Sequence, residues 1–240
     1  PADFRVADEQ QAAALRAEAL QDTLAELYAG LDANPDFAAM IDTLGYGRDD
    51  RRLLALAEES YGVMRCQVDP AAWTRRCLQA YDLPEDAEAE QTLWGAWFLQ
   101  ERTRVLENAD ALLRQAEDLC RREPKLEEKC TPVLEKNRAA IRDLLAETTW
   151  DGCMEKKIAS FGAMRPPKDA EAVEQVKGLR KEAWEMVKDI QRCFYAPSRQ
   201  VTDDLRRTVP ALRGLLALLK AFDERFTQEK RRRHLLDFSD

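Results

Sequence analysis

The feature that most constrains this chain is a set of long apolar stripes at helical spacing. Leu205, Val209, Leu212, Leu216, Leu219, Phe222 and Phe226 follow one another at steps of three or four residues, the period of one helix face. Val173, Val176, Ala183, Val187, Ile190 and Phe194 make a second stripe. Leu93, Trp94, Trp97, Phe98, Val105, Leu112, Leu113, Ala116 and Leu119 mark a third apolar helix. Shorter stripes are Ala13, Ala17, Leu20, Leu24, Leu27 and Leu134, Ile141, Leu144, Leu145. Only 9 glycines occur in 240 residues, so little interrupts them. Apolar residues make up 45% and charged residues 34%, enough for a packed core under charged outer faces. No stretch alternates polar and apolar residues as a strand does. The predicted fold is all-α, an irregular helical bundle with two or three long antiparallel helices and no sheet.

Local signals set the expected boundaries. Asp8 can cap a first helix, and Asn34-Pro35 and Asp69-Pro70 each pair an N-cap residue with proline at the first helical position. A helix is expected from Asp86 to about Arg122, with Pro124 and Pro132 interrupting the next region. Trp150 to Ala159 reads as a short amphipathic helix, and Gly162 to Pro167 as the clearest loop, since Pro166-Pro167 forces extended backbone. The next long helix spans about 169–195. Thr202 is the expected cap of the last helix, and Pro210 is expected to kink it. Residues 1–240 read as a single helical domain, with a candidate sub-boundary near 162–167.

Several function classes are disfavoured by the residues themselves. The net charge of −8 argues against a general nucleic-acid coat, although a local basic patch still acts within a Debye length of about 8–10 Å. No apolar run nears the roughly 20 residues needed to span a bilayer, and no secretory leader opens the chain; the expectation is a soluble, cytoplasmic protein without membrane contact. The chain opens at Pro1 without a methionine, and both ends read as cut from something longer. The six cysteines (Cys66, Cys77, Cys120, Cys130, Cys153 and Cys193) form no C-x-x-C pair, and His234 is the only histidine. Reduced thiols serving as small hydrophobes are expected, with no metal site.

The three-glycine dinucleotide fingerprint and the G-x-x-x-x-G-K-[ST] phosphate loop are both absent. Gly45-Tyr46-Gly47 reads first as a helix stop, and alternatively as a loop in which Arg48 meets a phosphate or a neighbouring subdomain. Asp49/Asp50 and Asp203/Asp204 fall at expected helix starts, where carboxylates complement the helix dipole. Trp94 and Trp97 could stack on bases, but their places on or beside an apolar face favour core packing; Trp73, Trp150 and Trp184 read the same way. The densest positive patch is Lys230-Arg231-Arg232-Arg233-His234, readable as a solvated helix end or as a contact to a phosphate backbone. No catalytic residue and no metal ligand is assigned.

Two stretches resemble a known family. Phe222-Asp223-Glu224-Arg225-Phe226, Lys230, Arg232 and Leu235-Leu236-Asp237-Phe238-Ser239-Asp240 resemble the segment that re-enters the motor core in UvrD-like helicases, above all in the AddA (RexA) component of the AddAB helicase–nuclease. Phe4-Arg5-Val6-Ala7-Asp8-Glu9 is similar to the matching exit segment. Gly45-Tyr46-Gly47-Arg48-Asp49-Asp50 and Asp69-Pro70 with Trp73 resemble two further stretches of that family. The resemblance implies the 1B subdomain, an insertion in the first motor domain, with Phe4, Arg5, Asp237, Phe238 and Asp240 at the motor junction. The parent implied is an ATP- and Mg2+-dependent 3′-to-5′ DNA helicase and exonuclease acting in double-strand break repair by recombination. Its partners are DNA ends or forks and an AddB or RexB subunit. This span would guide DNA near the fork and would not itself be an enzyme or hold ATP or Mg2+. Arg48, Lys230, Arg231, Arg232 and Arg233 are the expected DNA contacts. The alternatives are a stand-alone helical scaffold or interaction module, and a redox or metal sensor built on the cysteines.

Overall fold

The computed structural model describes residues 4–45, 51–167 and 171–237. Among them lie nine α-helices: α1 (Glu9–Ala29), α2 (Pro35–Leu44), α3 (Arg51–Arg65), α4 (Pro70–Gln79), α5 (Leu93–Cys120), α6 (Pro124–Leu145), α7 (Trp150–Glu155), α8 (Val173–Arg192) and α9 (Ser198–Arg232). The chain divides into two compact units, one made of Pro1–Asp82 with Asp204–Asp240 and the other of Leu83–Asp203. The chain passes from one unit to the other after Asp82 and again within α9, and the 162–167 loop lies inside the second unit.

The local caps form as the residue types demand. Asp8, Asn34 and Asp69 accept hydrogen bonds from the backbone N–H groups of Gln11, Phe37 and Ala72 at 2.7, 3.1 and 2.8 Å. Each satisfies a donor left orphaned in the first helical turn. The start of α5 differs from expectation. Residues Ala89–Gln91 form a 3-10 turn, and Thr92 caps the helix through Gly95 N–H at 2.9 Å. Gly95 is required there, because a Cβ would sit 1.8 Å from the Ala89 carbonyl oxygen.

In the first unit, α1, α2, α3 and the C-terminal part of α9 enclose Leu20, Phe37, Met40, Leu53, Phe222 and Phe226. On α1 the buried line runs through Leu15, Ala19, Leu20 and Leu24 and leaves Ala13 exposed; leucine buries more apolar surface than alanine and so sets the roll of the helix. Gly214 lets α9 approach α2 closely. A Cβ at 214 would stand 2.3 Å from the Asp36 carbonyl oxygen and 2.9 Å from Met40 Cβ. Gly214→Ala is therefore expected to lower stability by about 1–3 kcal/mol, the range for overpacking a filled site. A urea midpoint equal to or above wild type would show that α2 can move aside.

In the second unit, α5, α6 and α8 share a core of Leu106, Leu113, Leu126, Leu134, Ile141 and Val187. The ties between α5 and α6 run in opposite order along the two helices, Arg102 to Leu144 and Asp110 to Arg138, so the pair is antiparallel. Pro132 does not interrupt α6. Its ring frees the Glu128 carbonyl from its helical bond, and both residues are exposed, so water can serve that oxygen. The last helix begins at Ser198 rather than after Thr202. Thr202 is buried within it and donates to the Arg199 carbonyl at 3.0 Å. The cap comes from another helix instead: Asp151 on α7 accepts the Ser198 N–H at 2.6 Å.

One departure from the all-helical expectation is small but informative. Arg5–Val6 (β1) and Leu235–Leu236 (β2) pair as two parallel strands. Arg5 N–H donates to the His234 carbonyl at 3.0 Å and Ala7 N–H to the Leu236 carbonyl at 2.8 Å. His234 has φ 54°, the left-handed conformation that commonly ends a helix, and it turns the chain from α9 into β2.

Candidate nucleic-acid interface

The basic run ends α9, where a positive charge complements the helix dipole. Its members do not share one face. Phe222, Phe226 and Lys230 are spaced by four and follow the buried stripe, so Lys230 points inward. Its side chain is 7% exposed and pairs with Asp237 Oδ2 at 3.3 Å. Its Nζ also lies 4.7 Å from the centre of the Phe226 ring. Lys230, one of the expected DNA contacts, is thus a buried ion-pair partner that ties β2 to α9. An amine held there cannot reach a phosphate without breaking that pair.

The three arginines face out. Arg232 donates to Glu229 at 2.7 Å and Arg233 to Glu18 on α1 at 2.8 Å. Arg231 is exposed and has no ion pair among the described residues. Glu18 and Glu229 were not singled out from the sequence, although Glu229 lies within one turn of both arginines it meets. Elsewhere on the chain Arg207 meets Asp204 at 3.4 Å, and Arg121 meets Asp118 at 2.5 Å.

The expected junction residues gather around the strand pair. Phe4 packs edge-on against His234 at 5.6 Å, and Arg5 lies in β1. Asp237 is buried against Lys230. Val6 is 62% exposed and Leu236 41%, so the pair presents apolar side chains to the outside. Arg48, Phe238 and Asp240 lie outside the described residues, as do the expected caps Asp49 and Asp50. Behind this region Tyr61 donates to Asp223 Oδ1 at 2.8 Å. Burial, then that hydrogen bond, pushes its hydroxyl well above the usual tyrosine range, so Tyr61 remains a neutral donor.

The tryptophans divide differently from expectation. Trp150 is buried and donates through Nε1 to the Ala196 carbonyl at 2.9 Å. Trp73, Trp94 and Trp184 are half-buried. Trp97 is 54% exposed. The core takes Gly95 and Phe98 from that turn and turns Trp97 outward. The cysteines are free thiols: Cys120, Cys130 and Cys153 are buried, Cys77 and Cys193 half-buried, and Cys66 exposed. Burial pushes the Cys120 thiol up to about 11, which suppresses the reactive thiolate. Among the described residues no group of three His, Cys, Asp or Glu side chains is placed to hold a metal ion. Among the described residues no helix is long and apolar enough to cross a membrane.

No protein-family profile matches the chain. Curated relatives match along 99% of it, among them three A subunits of an ATP-dependent helicase/nuclease. The one from Acetivibrio thermocellus is 25% identical over 248 residues. Those from Bacillus cereus and Heliobacterium modesticaldum are 29% identical over 252 and 262 residues. The chain spans about a fifth of the length of these relatives (20, 20 and 19%). Along 99% of its length, then, this predominantly helical chain is related to the AddA proteins, the A subunits of the ATP-dependent helicase/nucleases.

Proposed function

We propose that this chain is the helical 1B-like accessory part of an ATP-dependent 3′-to-5′ DNA helicase and exonuclease of double-strand break repair, and that it guides DNA near the fork. The observation that carries the reading is the parallel pairing of β1 with β2. Two segments from opposite ends of the chain come together in one register, as an insertion does that leaves a larger parallel sheet and returns to it. The exposed Val6 and Leu236 suit burial against the rest of a motor domain, with Phe4, Arg5, Asp237, Phe238 and Asp240 at that junction. ATP and Mg2+ would be bound by other parts of the parent, which would work in the cytoplasm with an AddB- or RexB-type subunit.

Arg231, with Arg232 and Arg233 beside it, is the proposed phosphate contact of the first unit, and Arg48 belongs to the same proposal. Fluorescence anisotropy with a labelled duplex–single-strand junction tests this. Affinity is expected to fall as salt rises, with a log–log slope of about −0.9 per phosphate neutralised. Replacing Arg231, Arg232 and Arg233 together by alanine is expected to weaken binding and flatten that slope. Unchanged affinity and slope would leave the run as a solvated helix end and favour a helical scaffold instead.

A further inference from the structure

The second unit contains a cavity of about 440 Å3 between α8 and the segment 160–164, within the common size range of small-ligand sites. Lys177, Arg180, Lys181 and Trp184 lie along one face of α8 at helical spacing and line it together with Phe161 and Gly162. Its shape is held from below. Arg180 donates to the carbonyls of Phe161 and Gly162 at 2.8 and 2.9 Å and to Asn137 Oδ1 at 2.9 Å. Asn137 in turn donates to the Phe161 carbonyl at 2.9 Å. The loop wall is therefore fixed by polar contacts to α6 and α8, of which the Asn137–Phe161 bond is buried. Gly162 has φ 76°, and the space beside its Cα is empty of other atoms.

The lining has a definite chemistry. Three cations contribute and no carboxylate does, whereas the other described cavities each include acidic side chains. Lys181 is exposed and forms no ion pair among the described residues, since nearby Glu185 bonds to Lys188 instead. Lys177 meets only Glu174, which is 85% exposed, a pairing that a phosphate can displace at little cost. One wall is aromatic: Trp184 is half-buried and tilted at 54° against Phe161, with ring centres 5.1 Å apart. An aromatic wall beside one unpaired ammonium group and one paired only with an exposed glutamate suits a planar base with its phosphates. Duplex bases are stacked on both faces and cannot offer one to a side chain, so the matching ligand is single-stranded.

We propose that this cavity is a single-stranded DNA subsite, taking one base against Trp184 and the adjoining phosphates on Lys177 and Lys181. The proposal rests on the reading of the chain as part of a DNA-processing enzyme, and it adds a site that the basic run does not supply. The test uses the 240-residue chain with labelled dT15, U15 RNA and a blunt duplex, each titrated across salt concentration. The double variant Lys177→Gln/Lys181→Gln is expected to weaken dT15 binding about tenfold at low salt and to flatten its slope by about 1.4, at about 0.7 per single-strand phosphate. Trp184→Leu is expected to weaken dT15 binding at least about fivefold, the low end for losing one stacked base. Both variants are expected to leave duplex binding unchanged. Because both lysines lie on the surface of α8, the double variant keeps the test valid should Trp184→Leu fail to fold. If dT15 binds equally to wild type and double variant, or if U15 RNA is preferred over dT15, the subsite is overturned while the DNA-guiding reading stands. If no DNA probe binds at all, both fall together.

Discussion

Arg138→Met is expected to lower the stability of the 83–203 unit by roughly 3 kcal/mol at neutral pH. In wild type, Arg138 donates to Asp110 Oδ1 and to Glu117 Oε2, both at 2.8 Å. Those carboxylates are 8% and 2% exposed. Removing one partner of a buried ion pair strands the other charge in a medium that solvates it poorly. The surface arginines Arg114 and Arg121 reach the same carboxylates at 2.7 and 3.8 Å, which places the expected effect at the lower end of the usual range for a broken buried pair. A packing explanation is separated by pH. Burial alone would raise the Asp110 carboxyl, but hydrogen bonds from Arg138 and Arg114 outweigh it and hold the group below its ordinary range. A depressed carboxylate adds stability above its unfolded pKa of about 4 and loses it as pH falls through the folded value. The variant lacks that contribution, and protonation there relieves its stranded charge. The gap between the two proteins is therefore expected to narrow below about pH 4, measured as urea midpoints. A gap that stays constant from neutral pH to well below that point would assign the loss to packing.

What was legible in the sequence was the short-range physics. Asp8, Asn34 and Asp69 cap their helices because an N-cap bond spans three residues and needs no partner element. The leucine and phenylalanine stripes marked most of the core because helical period is local. Interactions across long sequence distances were not visible. Thr202 looked like a cap, yet α9 starts at Ser198 because Asp151, 47 residues away, accepts the Ser198 N–H. The strand pair was hidden because two residues are too few to show alternation, and its partners lie at opposite ends of the chain. Trp97 shows a different limit: on a long helix, adjacent aromatics cannot all face one core, and only packing decides which turns out.

The candidate interface shows the same division. The density of positive charge at 230–233 is plain from the residues, but its meaning depends on rotation about the helix axis. At about 100° per residue, one of four successive cations must come near the line of Phe222 and Phe226. That residue is Lys230, and the signal was present in its spacing of four from Phe226. The acidic residues beside Arg232 and Arg233 then reduce the patch further, so charge density alone overstates what a phosphate would meet.

These two roles within one run can be pulled apart by Lys230→Met, which keeps length and apolar volume while removing the charge. The buried Asp237 carboxylate loses its ammonium partner, so stability is expected to fall by about 3 kcal/mol. The loss should appear first as weakened protection of the Arg5 and Ala7 amides, which pair with the His234 and Leu236 carbonyls, because Lys230 is what ties β2 to α9. A buried cation that touches no phosphate makes no contribution to counterion release. The salt slope of junction binding by the folded variant is therefore expected to match wild type, whereas Arg231→Ala should flatten it by about 0.9 with little change in stability. Hydrogen exchange and anisotropy on the same two variants read both effects. A flattened slope for Lys230→Met with unchanged amide protection would return Lys230 to the DNA-binding surface and make its pairing with Asp237 incidental.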